Sequence, residues 1–447
     1  MSQAPSPFVR AALDAATAVP PSGIAWLDAA RRENMESLAE TGLPETRNES
    51  WKYTPLRALS QRAFSLADTG VANSLAVDPA SYALPGVDGS RIVFVDGVFR
   101  ADLSSLEGGE GVSLAPLGVA LEAQPEPLRF ALANRYRRGA ADAFAHLNAA
   151  LATDGVVLQI ANGTDVARPV NVVHVSSGSQ ADTAWHVRVL VDVGQGSRVD
   201  VVEHFVSLGD AIQLGTVVAD IVVREGATLG LVILQDASAS TTLIRRNHVR
   251  VEAKAAATVH ALELGGALVR HELTTELVGD GARFDSRGVF ALSGRQHVDT
   301  QLEVRHNDRD TTSDALWRGI ADGRSRGVFR GAIVVAEGAD GSDASLSNKN
   351  LLLSAQAEID TKPELEIYAD EVKAAHGATI GQLDERSLFY LRSRGIPLAQ
   401  ARSLLTLAFC RAALESLPNE ALREHLGDLL VAHLPTGPSD ALVTSAQ

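Results

Sequence analysis

The chain has 447 residues, 45% of them hydrophobic, and its 55 acidic against 40 basic side chains give a formal charge of −15. Such a chain can bury a substantial core, in about three domains or one elongated one. The acidic balance argues against a general binder of nucleic acid or anionic membranes. The one cysteine, Cys410, excludes an intrachain disulfide, a cysteine-based zinc site and an iron–sulfur cluster held by four thiolates of this chain. No apolar run approaches the roughly 18 residues of a membrane span, and we expect a cytoplasmic protein.

The N-terminal region, residues 1–85, is predicted to be mostly helical. Apolar residues recur at helical spacing in 5–17 and 24–40, with a Pro-Pro pair between the two segments. Farther on, two short apolar runs flank an Asp-Gly pair at 96–97, which predicts a β-hairpin. The helical period returns in 128–151, and we predict one more helix there.

The central region, residues 86–382, is predicted to be built mainly from strands. After the helix just described, short alternating runs of Val, Ile, Leu, Thr and Arg are broken by small turn residues. Similar strand starts at Ser197, Ala227 and Ala257 are 30 residues apart. A fixed period with small turn residues favours coils stacked along an axis, a β-helix or solenoid. An antiparallel β-sandwich is the alternative, although this region has more strand residues than one sandwich usually contains.

The C-terminal region, residues 383–447, is predicted to be helical again. Pro397 stands where the first turn of a helix tolerates proline, and apolar residues follow at helical spacing. Such a stripe either packs on the central region or binds a partner protein. Its large side chains are Leu398, Leu404, Leu405 and Phe409.

The usual enzyme motifs are missing or occur in the wrong context. No glycine is followed by lysine, so the chain has no phosphate-binding P-loop. Residues 323–327 match the G-x-S-x-G pattern, but a predicted strand follows where a nucleophile elbow needs a helix. A carbohydrate-active β-helix enzyme would need a patch of carboxylates on one face of the coils. The nearest acidic cluster consists of Asp299, Glu303, Asp308 and Asp310.

His376 differs from the other eleven histidines in its surroundings. Most of the others lie inside alternating strand runs, where a half-buried structural role is the ordinary interpretation. His376 lies between the last strand pattern and the first C-terminal helix, with Ala374, Ala375 and Gly377 around it. An imidazole in such a position can ligate a soft metal, and a structural histidine is the alternative.

Several long segments resemble the SufB/SufD core family of iron–sulfur cluster assembly. The most specific is 348–396, which contains the sequence EIDTKPELEIYADEVKAAHGATIGQLDERSLFYLRSRGI. Further matches are RNESWKYTPL at 47–56, HLNAALATDG at 146–155 and RGVFRGAIVV at 326–335. The resemblance therefore extends over nearly the whole chain.

The resemblance implies a right-handed parallel β-helix core flanked by N-terminal and C-terminal helical regions. It also implies a place in the SufB–SufC–SufD complex, as a scaffold subunit without catalysis of its own. In that arrangement the chain pairs with SufB, and its C-terminal helices dock the ATPase SufC. Sulfur for the nascent clusters comes from a cysteine desulfurase. Self-association and flavin binding by the complex stay open at this point.

The resemblance also assigns a role to His376, as a ligand of a nascent iron–sulfur cluster at the SufB interface. The family often has a cysteine two residues before this histidine, and here that position is Ala374. The cluster would therefore be shared with SufB and transient, with none held by this chain alone. A module that stabilises SufC without touching metal is the second alternative, beside the carbohydrate-active enzyme.

Overall fold

The computed structural model describes residues 5–133 and 142–434, and its core is a parallel β-solenoid of about eight turns with helices at both termini. The helices are α1 (Pro7–Ala18), α2 (Ala25–Thr41), α3 (Arg57–Ser60), α4 (Thr69–Ser74), α5 (Leu117–Ala123), α6 (Pro125–Leu132), α7 (Ala143–Leu151), α8 (Glu385–Ser393), α9 (Leu398–Arg411) and α10 (Glu420–His433). The strands are β1 (Ser65–Leu66), β2 (Arg91–Val95), β3 (Val98–Phe99), β4 (Val112–Pro116), β5 (Asp154–Ile160), β6 (Val170–Ser176), β7 (Thr183–Val193), β8 (Arg198–Ser207), β9 (Gln213–Val223), β10 (Thr228–Asp236), β11 (Thr241–Glu252), β12 (Ala256–Glu263), β13 (Leu268–Val278), β14 (Arg283–Leu292), β15 (His297–His306), β16 (Thr312–Ala321), β17 (Arg326–Val335), β18 (Asp343–Leu352), β19 (Glu358–Ile367) and β20 (Lys373–Gly381).

Two sheets of ten strands form the walls of the solenoid. Sheet 1 has the order β19-β17-β15-β13-β11-β9-β7-β5-β4, with β1 beside β7, and sheet 2 has the order β20-β18-β16-β14-β12-β10-β8-β6-β2-β3. From β5 onward the chain alternates between the sheets, so two successive strands make one coil. Each strand lies parallel to its counterpart in the next coil. The predicted β-helix is therefore confirmed, and the antiparallel sandwich is ruled out.

The main core consists of the side chains that both sheets point inward. Val199, Leu229 and Ala257 occupy one register position in three successive coils of sheet 2, and all three are buried. Side chains alternate between the two faces of a strand, so the apolar residues of each strand share the interior. One coil takes roughly 30 residues, which explains the repeat in the sequence.

Two local predictions have different outcomes. The hairpin is confirmed, because β2 and β3 are antiparallel and enclose Asp96 and Gly97, both with positive φ, as a two-residue hairpin turn requires. Of the helix predicted for 128–151, the structure describes its two ends within α6 and α7. The middle of that prediction, 134–141, lies outside the described residues.

The long N-terminal helices and the C-terminal helices cover the outer faces of opposite sheets. Helices α1, α2 and α7 pack around Trp51 and Phe144 against the outer face of sheet 1, for example at Ile244. Helices α9 and α10 pack on sheet 2, where Leu426 contacts the apolar cluster that includes Val289. None of the described helices is both long and apolar enough to cross a lipid bilayer.

Candidate functional site

The last coil, made of β19 and β20, leaves one edge of each strand free among the described residues. β19 pairs with β17 and β20 pairs with β18, and each strand ends its sheet. At the other end, the first coil is followed outward by β4 in sheet 1 and by the β2–β3 hairpin in sheet 2. A free strand edge presents unpaired backbone N–H and C=O groups that a second chain can extend.

His376 lies in β20, on the face that continues the solenoid interior. It is in register with Leu346, a buried core residue, so the two side chains belong to the same inward row. No coil follows β20 among the described residues, and His376 is exposed. Ala374 and Ala378 flank it on the same face and are too small to cover it. The chain thus presents one imidazole at the open end of its core.

Among the described residues, this imidazole has no neighbouring side chains that could complete a metal site. Within the described part of the chain, His376 has no hydrogen-bond or ion-pair partner, and no group of three or more His, Cys, Asp or Glu side chains is arranged to hold a metal. A neutral imidazole nitrogen can replace a thiolate on iron. The residues present therefore fit one ligand contributed to a shared site, with the other ligands supplied by another chain or by sulfide.

Apolar side chains are exposed around the same end of the solenoid. Ile367, Tyr368 and Ile380 belong to the last coil and keep 42%, 63% and 44% of their surface exposed. On α8, which begins four residues after β20, Phe389 and Tyr390 are 74% and 56% exposed. Exposed apolar groups that are concentrated in one region mark an interaction surface.

The apolar stripe predicted on α9 lies beside the buried face of the helix. Leu404 is 44% exposed, and Leu398 and Leu405 are half-buried. Phe409 is also half-buried, and the guanidinium carbon of Arg318 lies 5.5 Å from the centroid of its ring. A different set of side chains buries α9 and α10 against the solenoid. That set contains Cys410, Leu414, Leu417, Leu422, Leu426 and Leu430, and Phe409 packs against it.

The single cysteine and the serine of the G-x-S-x-G pattern are both buried. Cys410 is fully buried, and burial raises the pKa of its thiol well above the usual range. Ser325 is also buried, and its hydroxyl donates a hydrogen bond to the carbonyl oxygen of Asp322 at 2.8 Å. The glycine at the start of this motif, Gly323, has a φ of 67° in the turn that precedes β17. The motif is therefore a β-turn, as its context predicts.

Two of the four residues of the acidic cluster considered for a carbohydrate-active enzyme are engaged in ion pairs. Asp299 is buried, pairs with Arg270 and accepts a hydrogen bond from the hydroxyl of Thr54 at 2.5 Å. Glu303 pairs with Arg305 at 2.6 Å. These partners neutralise the two carboxylates and leave no free acid/base pair between them. The remaining residues of the cluster, Asp308 and Asp310, lie in the turn between β15 and β16.

Two features of the structure have little signal in the sequence. The ring of Trp51 lies under the guanidinium of Arg270, and the aromatic pattern of 47–56 was its only sign. Arg318 is buried in the outer face of sheet 2 beneath α9. In the sequence it is one of many charged residues in alternating strands, so spacing does not distinguish it.

Two family models together cover most of the chain. The SufBD core domain of SUF-system FeS cluster assembly matches residues 174–409, and the SufBD protein N-terminal region matches residues 14–172. The first match begins in β6 and ends in α9, so it contains the coils from β7 onward, His376 and most of α9.

Individual relatives are similar over the same length. The iron–sulfur cluster assembly protein SufD of Escherichia coli is 32% identical over 91% of this chain and 93% of its own length. A SufBD family protein of Synechocystis is 29% identical over 89% of this chain and 88% of its own, and one of Mycobacterium tuberculosis is 28% identical over 86% and 87%. The chain therefore belongs to the SufBD family of iron–sulfur cluster assembly proteins.

Proposed function

We propose that the chain acts as the SufD-type scaffold subunit of a complex with SufB and SufC, on which nascent iron–sulfur clusters form. The observation that supports this most directly is the open last coil, in which a free strand edge and an exposed imidazole coincide. The chain performs no catalysis itself. Sulfur comes from a cysteine desulfurase system, and the complex works in the cytoplasm.

Pairing with SufB takes place at the open end of the solenoid. A second β-solenoid laid against β19 and β20 supplies the missing backbone hydrogen bonds and covers Ile367, Tyr368 and Ile380. Burying apolar area at about 25 cal/mol per Å² favours such an interface. His376 then lies at the junction of the two chains.

Docking of SufC takes place on the C-terminal helices. Leu404 is exposed and Leu398 and Leu405 of the same helix are half-buried, whereas Phe409 packs against the apolar cluster on sheet 2 and lies outside the docking surface. The opposite face of α9 and α10 is fixed on sheet 2. The rigid solenoid thus holds the docking surface at a constant distance from the SufB junction.

His376 contributes one nitrogen ligand to a cluster whose other ligands are sulfide and side chains of SufB. With Ala374 two residues before it, this chain offers no thiolate there, and Cys410 is buried far along the sequence in α9. Loss of the imidazole therefore removes the contribution of this strand to the metal. No cluster is expected on the isolated chain.

The experiment that tests the proposal is co-expression with SufB and SufC, followed by anaerobic reconstitution with and without this chain. We expect a ternary complex whose iron and sulfide content falls when the chain is left out. ATP hydrolysis should follow SufC and be absent from the isolated chain. A stable four-iron cluster on the isolated chain, or ATP turnover free of SufC, contradicts the proposal.

A module that stabilises SufC without contacting metal is the second candidate. Ala374 in place of the family cysteine favours it, because the position next to His376 has lost its sulfur ligand. The two candidates predict different results when the reconstitution is repeated with the His376→Ala variant. For the module, His376→Ala leaves iron and sulfide per complex unchanged.

A further inference from the structure

Arg318 is buried, and no acidic side chain of the described residues pairs with it. The other buried arginines, Arg100, Arg188, Arg245 and Arg270, each lie within ion-pair distance of a carboxylate. Among residues 5–133 and 142–434, Arg318 has no such partner. Its Nη1 donates a hydrogen bond to the carbonyl oxygen of Trp317 at 3.0 Å, and its guanidinium lies over the ring of Phe409. Neither contact supplies negative charge, and a buried charge is costly unless it is paired.

A second cation lies beside Arg318 in the same row. Lys349 of β18 is in register with Arg318 of β16, so the two side chains leave the same face of sheet 2 from strands about 4.8 Å apart. Like charges in adjacent positions destabilise a sheet. On the other side, Arg318 is in register with Val289, which lies under the C-terminal helices. Lys349 is exposed, toward the open end. The pair thus lies where the edge of the helical layer meets solvent.

The helices next to this pair are basic as well. From Arg386 to Arg411 the sequence has five arginines, no lysine and no acidic residue, although the formal charge of the whole chain is −15. Phe389, Tyr390 and Leu404 are exposed in the same segment. Arginine and aromatic residues are enriched at protein interfaces, whereas lysine is depleted there. The surface therefore fits an acidic protein partner with apolar contacts.

We propose that Arg318, assisted by Lys349, receives a carboxylate of the docking partner at the edge of α9, while Leu404 makes the neighbouring apolar contact. The inference rests on the proposed function, in which SufC docks on the C-terminal helices. It adds the chemistry of recognition: the contacting segment of SufC carries an aspartate or glutamate beside an apolar side chain. Burial lowers the pKa of Arg318, and a partner carboxylate opposes that effect.

The test compares SufC binding by the full chain and by Arg318→Met at low and at moderate salt. Methionine keeps the apolar packing on Phe409 and removes the uncompensated charge, so the melting temperature should stay equal or rise. The dissociation constant should increase at least about tenfold, and its salt dependence should decrease. Arg283→Met is the matched control, because Arg283 lies on the same face of sheet 2 and is already paired with Asp285 at 2.9 Å. It should bind SufC as the unmodified chain does.

The outcomes separate the inference from the proposed function. If the unmodified chain does not bind SufC, the proposed function fails, and the inference fails with it. If the chain binds and Arg318→Met binds equally well, the inference alone is wrong. Lys349 is exposed, so Lys349→Met should weaken SufC binding severalfold without unfolding the chain. If Arg318→Met aggregates, the binding of Lys349→Met tests the inference in its place. If deletion of residues 435–447 makes SufC bind more tightly, then the tail of this chain competes with SufC for Arg318. That result would also overturn the inference.

Discussion

The guanidinium of Arg270 stacks over the ring of Trp51, with its central carbon 3.8 Å from the ring centroid. The same guanidinium forms ion pairs with Asp299 and with Glu272, the latter at 2.7 Å. The hydroxyl of Thr54 donates to Asp299. A short polar and aromatic segment of the N-terminal region is thereby attached to β13 and β15, on the outer face of sheet 1. The ion pairs and the ring stacking of the buried Arg270 both stabilise this attachment.

Breaking this ion pair should destabilise the protein strongly. We expect Asp299→Ala to lower the free energy of unfolding by about 3–5 kcal/mol, because it leaves the Arg270 charge buried with one partner fewer. The matched control is Asp192→Ala, which removes one of the two acidic partners of Arg224 in a pair whose side chains are both more than 40% exposed. That change should cost at most about 1 kcal/mol. Urea unfolding measures both, and equal losses would contradict a structural role for the Arg270 cluster.

His376→Ala should separate cluster formation from folding. The side chain is exposed, so the free energy of unfolding should change by about 0.5 kcal/mol or less. Complex yield on size exclusion should be unchanged, while iron and sulfide per complex fall after anaerobic reconstitution. His248→Ala is the control, since His248 is also partly exposed but pairs with Glu276 in the interior coils. Full iron and sulfide in an intact His376→Ala complex would mean that His376 is no ligand.

Two leucines of the C-terminal region, Leu404 in α9 and Leu414 in the turn after it, should respond in opposite ways to substitution. Leu404→Ala should weaken SufC binding and leave stability nearly unchanged, because the side chain is 44% exposed. Leu414→Ala should cost about 2–5 kcal/mol of stability, because Leu414 is buried against sheet 2. Thermal melts and a binding titration on both variants give the comparison. If Leu404→Ala binds SufC with full affinity, the docking surface lies elsewhere.

Acid should unfold the protein through its buried histidines. Burial lowers the pKa of His186 to about 3 and the pKa values of His204, His260, His297 and His306 to about 4. The unfolded chain binds these protons near pH 6.5, so between pH 6.5 and 4 it holds more protons than the folded one.

The contribution of these histidines to stability is therefore complete above pH 6.5 and falls as the pH drops toward 4. Each histidine that is protonated only in the unfolded chain makes the free energy of unfolding fall by about 1.4 kcal/mol for every pH unit of acidification. Urea unfolding at pH 7.5, 6.0 and 5.0 measures the slope. His186→Gln should reduce this slope, since it removes one of the groups that take up protons on unfolding. A slope that is the same in the variant would contradict this account.

His433 should have the opposite pH dependence. Its Nε2 lies 3.2 Å from Asp236 of β10, and its Nδ1 lies 2.9 Å from the carbonyl oxygen of Leu429. The hydrogen bond to Asp236 raises the pKa of His433, although burial opposes the effect. The protonated ring therefore stabilises the packing of the end of α10 on β10 below pH 6.5. This stabilisation is lost as the pH rises through the raised pKa of His433.

Hydrogen exchange in α10 should consequently speed up between pH 6.5 and 8, after correction for the intrinsic rate. Asp236→Asn should remove most of this pH dependence. Persistence of the full dependence in that variant would show that another group is responsible.

The sequence by itself determined the strands, the length of one coil and the hairpin at Asp96 and Gly97. These features depend on local rules: side chains alternate along a strand, and small residues with positive φ allow tight turns. A period near 30 residues distinguishes a stacked coil from a sandwich, because each coil has to return to the same position. The resemblance to the SufBD family likewise came from contiguous segments, which the order of residues along the chain preserves.

Only the tertiary structure decided which of these residues are accessible and which are paired. His376 continues a core row and is exposed because no coil follows β20 among the described residues. The spacing in α9 predicts a single apolar stripe, but only packing shows that Leu404 is exposed while Phe409 lies on sheet 2 over Arg318. Arg318 meets Phe409 across 91 residues of sequence. Burial and charge pairing depend on chain segments that are far apart in the sequence, and local periodicity carries no record of them.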